Sequence, residues 1–81
     1  MSVNYYVALP FVRTEDGMVA GQAQEMPNEL AAIRRAEAMS RDSSNAGALA
    51  FKRSGDPNVG NFSDAVVLKA FGDVPENLDE L

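Results

Sequence analysis

The residues best equipped for chemistry in this 81-residue chain gather around one loop, Ser54 to Asn61, which holds two Gly, one Pro, one Asp and two Asn. Arg53, Asp56, Asn58 and Asn61 are its candidate ligand-binding side chains, and three kinds of ligand suit them. Calcium is suggested by Asp56, Asn58 and Gly60, which mimic the start of an EF-hand loop. The spacing then fails, because Asn61 stands where that loop needs glycine and Val67 where it needs a bidentate glutamate. Phosphate is suggested by Gly55 and Gly60 with Lys52 and Arg53 upstream, a pattern resembling a backbone nest. The Lys-Ser/Thr pair of a P-loop is missing, and no helix is expected after the loop. Single-stranded nucleic acid is suggested by Phe51 and Phe62 interleaved with Lys52, Arg53 and Lys69. The simplest reading is a tight or bulged hairpin tip with core phenylalanines at its base.

Catalysis finds little to work with. The chain has no His, Cys or Trp, which removes the commonest general base, the thiolate nucleophile and the usual zinc ligands. None of the six serines stands in a G-x-S-x-G elbow. Asp56 and Asp64 flank the loop, but a carboxylate pair of the glycosidase kind needs a cleft around a sugar that so small a chain hardly forms. Asp56 before Pro57 is a turn former, and Asp64 reads as an exposed strand residue. No catalytic residue, metal site or cofactor is assigned, and the expected class is non-enzymatic.

Charge and composition narrow the partners. The net charge is −5, of which −4 falls in Gly72 to Leu81, leaving residues 1–71 at −1. The domain is therefore expected to span 1–71, followed by an acidic, solvated tail at 72–81. A nearly neutral body argues against nucleic acid, whose binding relies on a positive field. The acidic tail can be read as a peptide offered to a basic partner, or as a solubilising end. No apolar run approaches the roughly 20 residues of a membrane span. Without a basic, apolar leader the LDEL ending is not read as a retrieval signal, and a cytoplasmic setting is the default.

The elements that must carry the loop follow from periodicity. Asn4 to Val12 alternates as a strand, with Pro10 suggesting an edge or a bulge. Asp16-Gly17 signals a turn, and Met18 to Glu25 returns as a doubtful strand weakened by Gly21, Gln22 and Gln24. Pro27 and Asn28 open a helix to Arg41, with Leu30, Ile33, Ala36 and Met39 forming an apolar stripe beside Ala32. Glu37 and Arg41 stand four apart in the favourable order, and Arg34-Arg35 reads as a solvated stripe on an exposed helical face, with contact to phosphate as the alternative. Ala46 to Arg53 and Phe62 to Phe71 form the hairpin around the loop. Both of their faces are substantially apolar, one bulky and one alanine-rich. One helix covers one face of such a sheet, so the other needs the tail, the 13–26 segment or a second subunit.

The run SGDPNVGNFSDAVVLKAFGDVPENLDEL, with RRAEAM in the helix and YYVALPF at the start, resembles small uncharacterised bacterial proteins of this length. The resemblance spans most of the chain. It implies a compact bacterial protein and carries no assigned chemistry. The sequence thus predicts an α+β domain, ββαββ with a doubtful second strand, its one helix packed on an antiparallel sheet. Its expected role is an interaction or accessory protein that pairs with itself or another protein. The alternative is a small-molecule or phosphate binder at the loop, and a weak nucleic-acid binder comes third.

Overall fold

The computed structural model describes residues 3–56, 58–63 and 65–75. The chain is an α+β domain with one antiparallel sheet and one helix packed on it. Strand β1, Val3–Thr14, turns at Gly17, where φ is +132°, into β2, Gly17–Ala20. Only glycine takes that backbone angle without strain. A further short strand, β3, Gln24–Met26, leads to helix α1, Glu29–Arg41. Strand β4, Gly47–Asp56, then pairs with both β5, Asn61–Phe62, and β6, Val66–Gly72. Across the sheet, β2 and β3 flank β1 on one side, β1 lies against β4, and β5 and β6 flank β4 on the other.

Pro10 explains the broken second strand. The β1–β3 pairing ends at Ala8 opposite Gln24, and the β1–β2 pairing begins at Phe11 opposite Ala20. Of the two residues between, Pro10 has no N–H to donate, so the partner chain loops out there, and the Gly21 N–H returns to the Pro10 carbonyl at 2.8 Å. The single weak strand of the sequence reading is therefore two short ones. Pro10 marks an interruption beside an inner strand rather than a free edge.

The helix begins as its sequence requires. The Asn28 side chain accepts the Ala31 N–H at 2.8 Å and caps the first turn. Pro27 lies before this cap, outside the helix, so of the two residues expected to open it only Asn28 takes part. Ala32 and Ala36 are buried, and Ile33 and Met39 pack beside them. Leu30 leaves the stripe and is 56% exposed, because the buried face is centred on the two alanines.

Helix α1 covers the alanine side of the sheet. Ala8, Ala48 and Ala50 are fully buried against Ala32 and Ala36, with Tyr6, Met26, Leu68 and Phe71 around them. The opposite side holds Leu9, Phe11, Leu49 and Phe51, all buried, with Val7, Met18, Ala65 and Val74 packed against them. Strict alternation through Phe62 to Phe71 breaks at Leu68. A register shift opposite Ala50 and Phe51 turns both Leu68 and Phe71 toward the helix side, while Val67 faces Phe51.

Candidate functional site

The loop singled out by sequence is a compact turn organised by Asp56. Its carboxylate accepts the Asn58 N–H at 2.9 Å, and its carbonyl accepts the amides of Val59 at 3.2 Å and Gly60 at 2.9 Å. Gly60 closes the turn at φ +68°. Three consecutive amides, the donors a phosphate nest would present, are thus engaged within the turn. Below them Ser63 clasps the two arms: its N–H reaches the Ser54 carbonyl at 2.7 Å, and its hydroxyl accepts the Ser54 N–H at 3.0 Å. The Ser54 hydroxyl in turn donates to Asn4 Oδ1 at 2.6 Å, tying the hairpin to β1.

The four candidate residues are neighbours in sequence but do not converge. Asp56 pairs with Asn61 across β4 and β5. Arg53 pairs with Tyr5, and three positions from Asp56 on a regular strand it points to the opposite face. Asn58 is exposed in the turn. Around Ser54, Asp56, Asn61, Phe62 and Ser63 the surface forms a shallow depression of about 280 Å³. Pro57 and Asp64, which the carboxylate-pair reading needs, lie outside the described residues, as does the tail from Glu76 to Leu81. Among the described residues no three His, Cys, Asp or Glu side chains gather as a metal site would need. None of the described helices is long and apolar enough to cross a membrane.

The more distinctive surface lies on the helix-free face beside the loop. The Phe62 ring sits over Gly55, where an added Cβ would come within 2.1 Å of its Cδ1. The same ring meets Tyr5 at a centroid distance of 5.9 Å and a tilt of 51°. Val3, paired with Gly55, and Val67, paired with Phe51, share this face. Phe62 is 47% exposed, Val67 40% and Val3 38%. Farther along the same face, Met18 and Val74 lie on the Leu9–Phe11–Leu49–Phe51 cluster. The Arg13 guanidinium holds the Asp73 carboxylate at 2.8 Å, fixing the chain where it leaves β6. The face is therefore capped at its Phe11 end and open at its Phe62 end. Sequence reasoning saw that both hairpin faces were apolar, but it did not single out Val3, Tyr5, Phe62 and Val67 as one surface. Their grouping depends on the β1–β4 register and the bulge in β6, which alternation alone does not supply.

Among the described residues one titratable group is clearly displaced. The Asp42 carboxyl is held below the usual carboxylate range by the Ser44 N–H and then by the Ser44 hydroxyl, both donating to Oδ1. This pair ends α1 and turns the chain toward β4. It has the character of a structural turn. No family model, curated protein or solved structure matches the chain.

Proposed function

We propose that the chain is a small non-enzymatic interaction protein that works as a homodimer, bacterial as the sequence resemblance implies and cytoplasmic as the default reading of the sequence has it. Two copies meet through the open end of the helix-free face, with Val3, Tyr5, Phe62 and Val67 bordering Arg53, which its pairing with Tyr5 places on the same face. The observation that supports this reading is the exposure of Val3, Phe62 and Val67 on one sheet face over which the described residues place no second layer at that end. Apolar side chains clustered this way lose water on pairing, and a contact about a two-fold axis buries each of them twice. A stable interface needs about 800 Å² per partner. That is roughly one-seventh of this chain's 5407 Å², so the patch and its polar border must both take part.

Sedimentation across a concentration series tests the proposal. In 0.5 M NaCl, which screens contacts between charges, the wild-type chain is expected to sediment as a dimer at tens of micromolar, and Val67→Asp as a monomer of 8.7 kDa. An aspartate facing its own copy across a dry contact is expected to weaken pairing by about a hundredfold or more. A wild-type monomer at 100 µM or above overturns the reading, as does a Val67→Asp dimer of unchanged affinity.

A further inference from the structure

Two features singled out by sequence remain outside the proposed dimer: the Arg34-Arg35 pair and the acidic segment after Pro75. The first lines a groove. Along the flank of α1 that faces β3, a depression of about 410 Å³ is bounded by Met26, Leu30, Ala31, Arg34, Arg35 and Ala38. A second depression, of about 340 Å³, shares Arg35 and Ala38 and continues past Pro10, Gln22 and Gln24 toward Asp42. Together they follow the helix from Leu30 to Asp42, about 18 Å at 1.5 Å per residue.

The groove carries positive charge that no described carboxylate pairs with. Arg13 pairs with Asp73, and Arg41 with Glu37. Arg34 and Arg35, by contrast, form no ion pair among the described residues. Glu25 pairs with Val7 and so points to the helix-free side, away from the groove. Asp42, the one carboxylate lining it, sits at the far end and is occupied by Ser44. The Arg34 half is thus positive, and its apolar lining of Leu30, Met26, Ala31 and Ala38 is built to hold an aliphatic side chain.

The second feature has the complementary composition. Residues 76–81 read Glu-Asn-Leu-Asp-Glu-Leu, three carboxylates alternating with two leucines. We propose that this acidic segment of one copy docks in the Arg34–Arg35 groove of another copy. Its carboxylates meet the two guanidiniums, and Leu78 or Leu81 enters the depression beside Leu30 and Ala38. The geometry favours another copy over the same chain. Val74, two residues before the segment, is anchored on the helix-free face, whereas the groove lies on the helix side. Six residues reach at most about 20 Å, and that reach must round the sheet edge before any of it enters the groove. This contact is electrostatic and distinct from the apolar contact of the proposed dimer.

The absence of cysteine makes a direct test available. Asn77→Cys keeps every charge and leucine of the segment and takes a nitroxide spin label. Unlabelled protein carrying that label is mixed with ¹⁵N-labelled wild-type protein at low salt, so that only contacts between copies broaden ¹⁵N signals. The expected result is selective broadening of the amides of Leu30, Ala31, Arg34, Arg35 and Ala38. It should fall severalfold at 0.5 M NaCl, where the Debye length is only about 4 Å, and vanish in ¹⁵N-labelled Arg34→Glu/Arg35→Glu. Restoration by a partner with Glu76→Lys, Asp79→Lys and Glu80→Lys would assign it to these charges. No broadening overturns the proposal. Broadening of the groove only when label and ¹⁵N share one molecule also overturns it, in favour of docking within a chain. Broadening confined to Tyr5, Phe62 and Val67 places the segment on the other face and overturns it as well. Repeating the mixture in a Val67→Asp background separates the two contacts, since loss of the apolar dimer leaves the groove signal in place.

Discussion

The two faces of this sheet are built on opposite plans. Beneath α1 the strands carry Ala8, Ala48 and Ala50, and the helix answers with Ala32 and Ala36. On the other side of the same strands stand Leu9, Phe11, Leu49 and Phe51, with no helix over them. Small side chains on both partners let a helix approach closely, so the covered face gains its density from proximity. The helix-free face gains it from volume, since large side chains lying along the strands exclude water from one another, with Val7, Met18, Ala65 and Val74 packed on them among the described residues. A second layer and a buried core are thus separable: the layer lies on the side with the smaller side chains.

Exchanging the sizes tests that division. Leu49 is the largest fully buried side chain among the described residues, and Leu49→Ala is expected to cost about 3 kcal/mol through lost burial and the cavity left behind. Ala36→Leu forces a larger group between helix and sheet and is expected to cost about 2 kcal/mol. A domain of this length has on the order of 4–12 kcal/mol in total, so both effects are visible in urea unfolding at unchanged slope. The comparison breaks if Ala36→Leu is neutral, for then the helix does not ride close on the alanines. It breaks equally if Leu49→Ala costs under about 1 kcal/mol.

A pair of glycines on β4 sharpens the contrast within the helix-free face. At Gly47 an added Cβ would lie 2.2 Å from the Asp73 carbonyl oxygen and 2.6 Å from the Phe71 carbonyl oxygen, both backbone atoms. At Gly55 the three nearest atoms all belong to the ring of Phe62, whose exposure leaves it room to swing outward. Gly47→Ala is therefore expected to cost about 2 kcal/mol by displacing the end of β6 and the Arg13–Asp73 attachment. Gly55→Ala should cost under about 1 kcal/mol and instead move Phe62, which the Tyr5 ring protons would report. Equal costs at the two sites would mean that the Phe62 end of the face is as firmly packed as the Phe11 end.

Much of this division is legible in the sequence, and its limits have physical causes. Asn28 reads as a helix cap, and Glu37 with Arg41 as an ion pair, because both interactions are local; the structure gives them 2.8 and 2.6 Å. The alternation of bulky and small residues in β1 and β4 is equally plain, and it yields the α+β fold with its single helix. What escaped was non-local. Pro10 cuts the facing strand in two only because β1 is paired there. The bulge at Leu68 transfers residues between faces without any change in composition. Leu30 looks like core by spacing yet lies open, since the stripe is centred on alanines whose burial depends on what the helix meets. For the loop, sequence supplied the turn through Asp56, Asn58 and Gly60. It could not show that the turn's own amides are engaged there, or that Arg53 points to the other face.

The smallest expected effect concerns how each face is fastened. On the helix-free side the chain leaving β6 is held by Val74 packing and by Arg13 on Asp73. On the helix side, the end of α1 is held by polar bonds: the Asp42 N–H to the Met39 carbonyl at 3.2 Å, the Asn45 side-chain amide to the same carbonyl at 2.9 Å, and the Ser44 N–H and hydroxyl to Asp42 Oδ1. Because Ser44 lowers the Asp42 pKa, the folded state binds that proton less readily than the unfolded chain. Its contribution is therefore present in full above the unfolded value, about 4, and is lost as pH falls through the lower folded one. Acid should loosen the Met39–Ala46 turn before it touches the Leu9–Phe11–Leu49–Phe51 cluster. Amide shifts followed from pH 5 to 2 are expected to show that order. Asp42→Asn keeps an oxygen acceptor for Ser44 but removes the titration, so its turn amides should stay flat over the same range. If the cluster on the helix-free face shifts first, the uncovered side is the weaker one, and the division of labour between the faces is reversed.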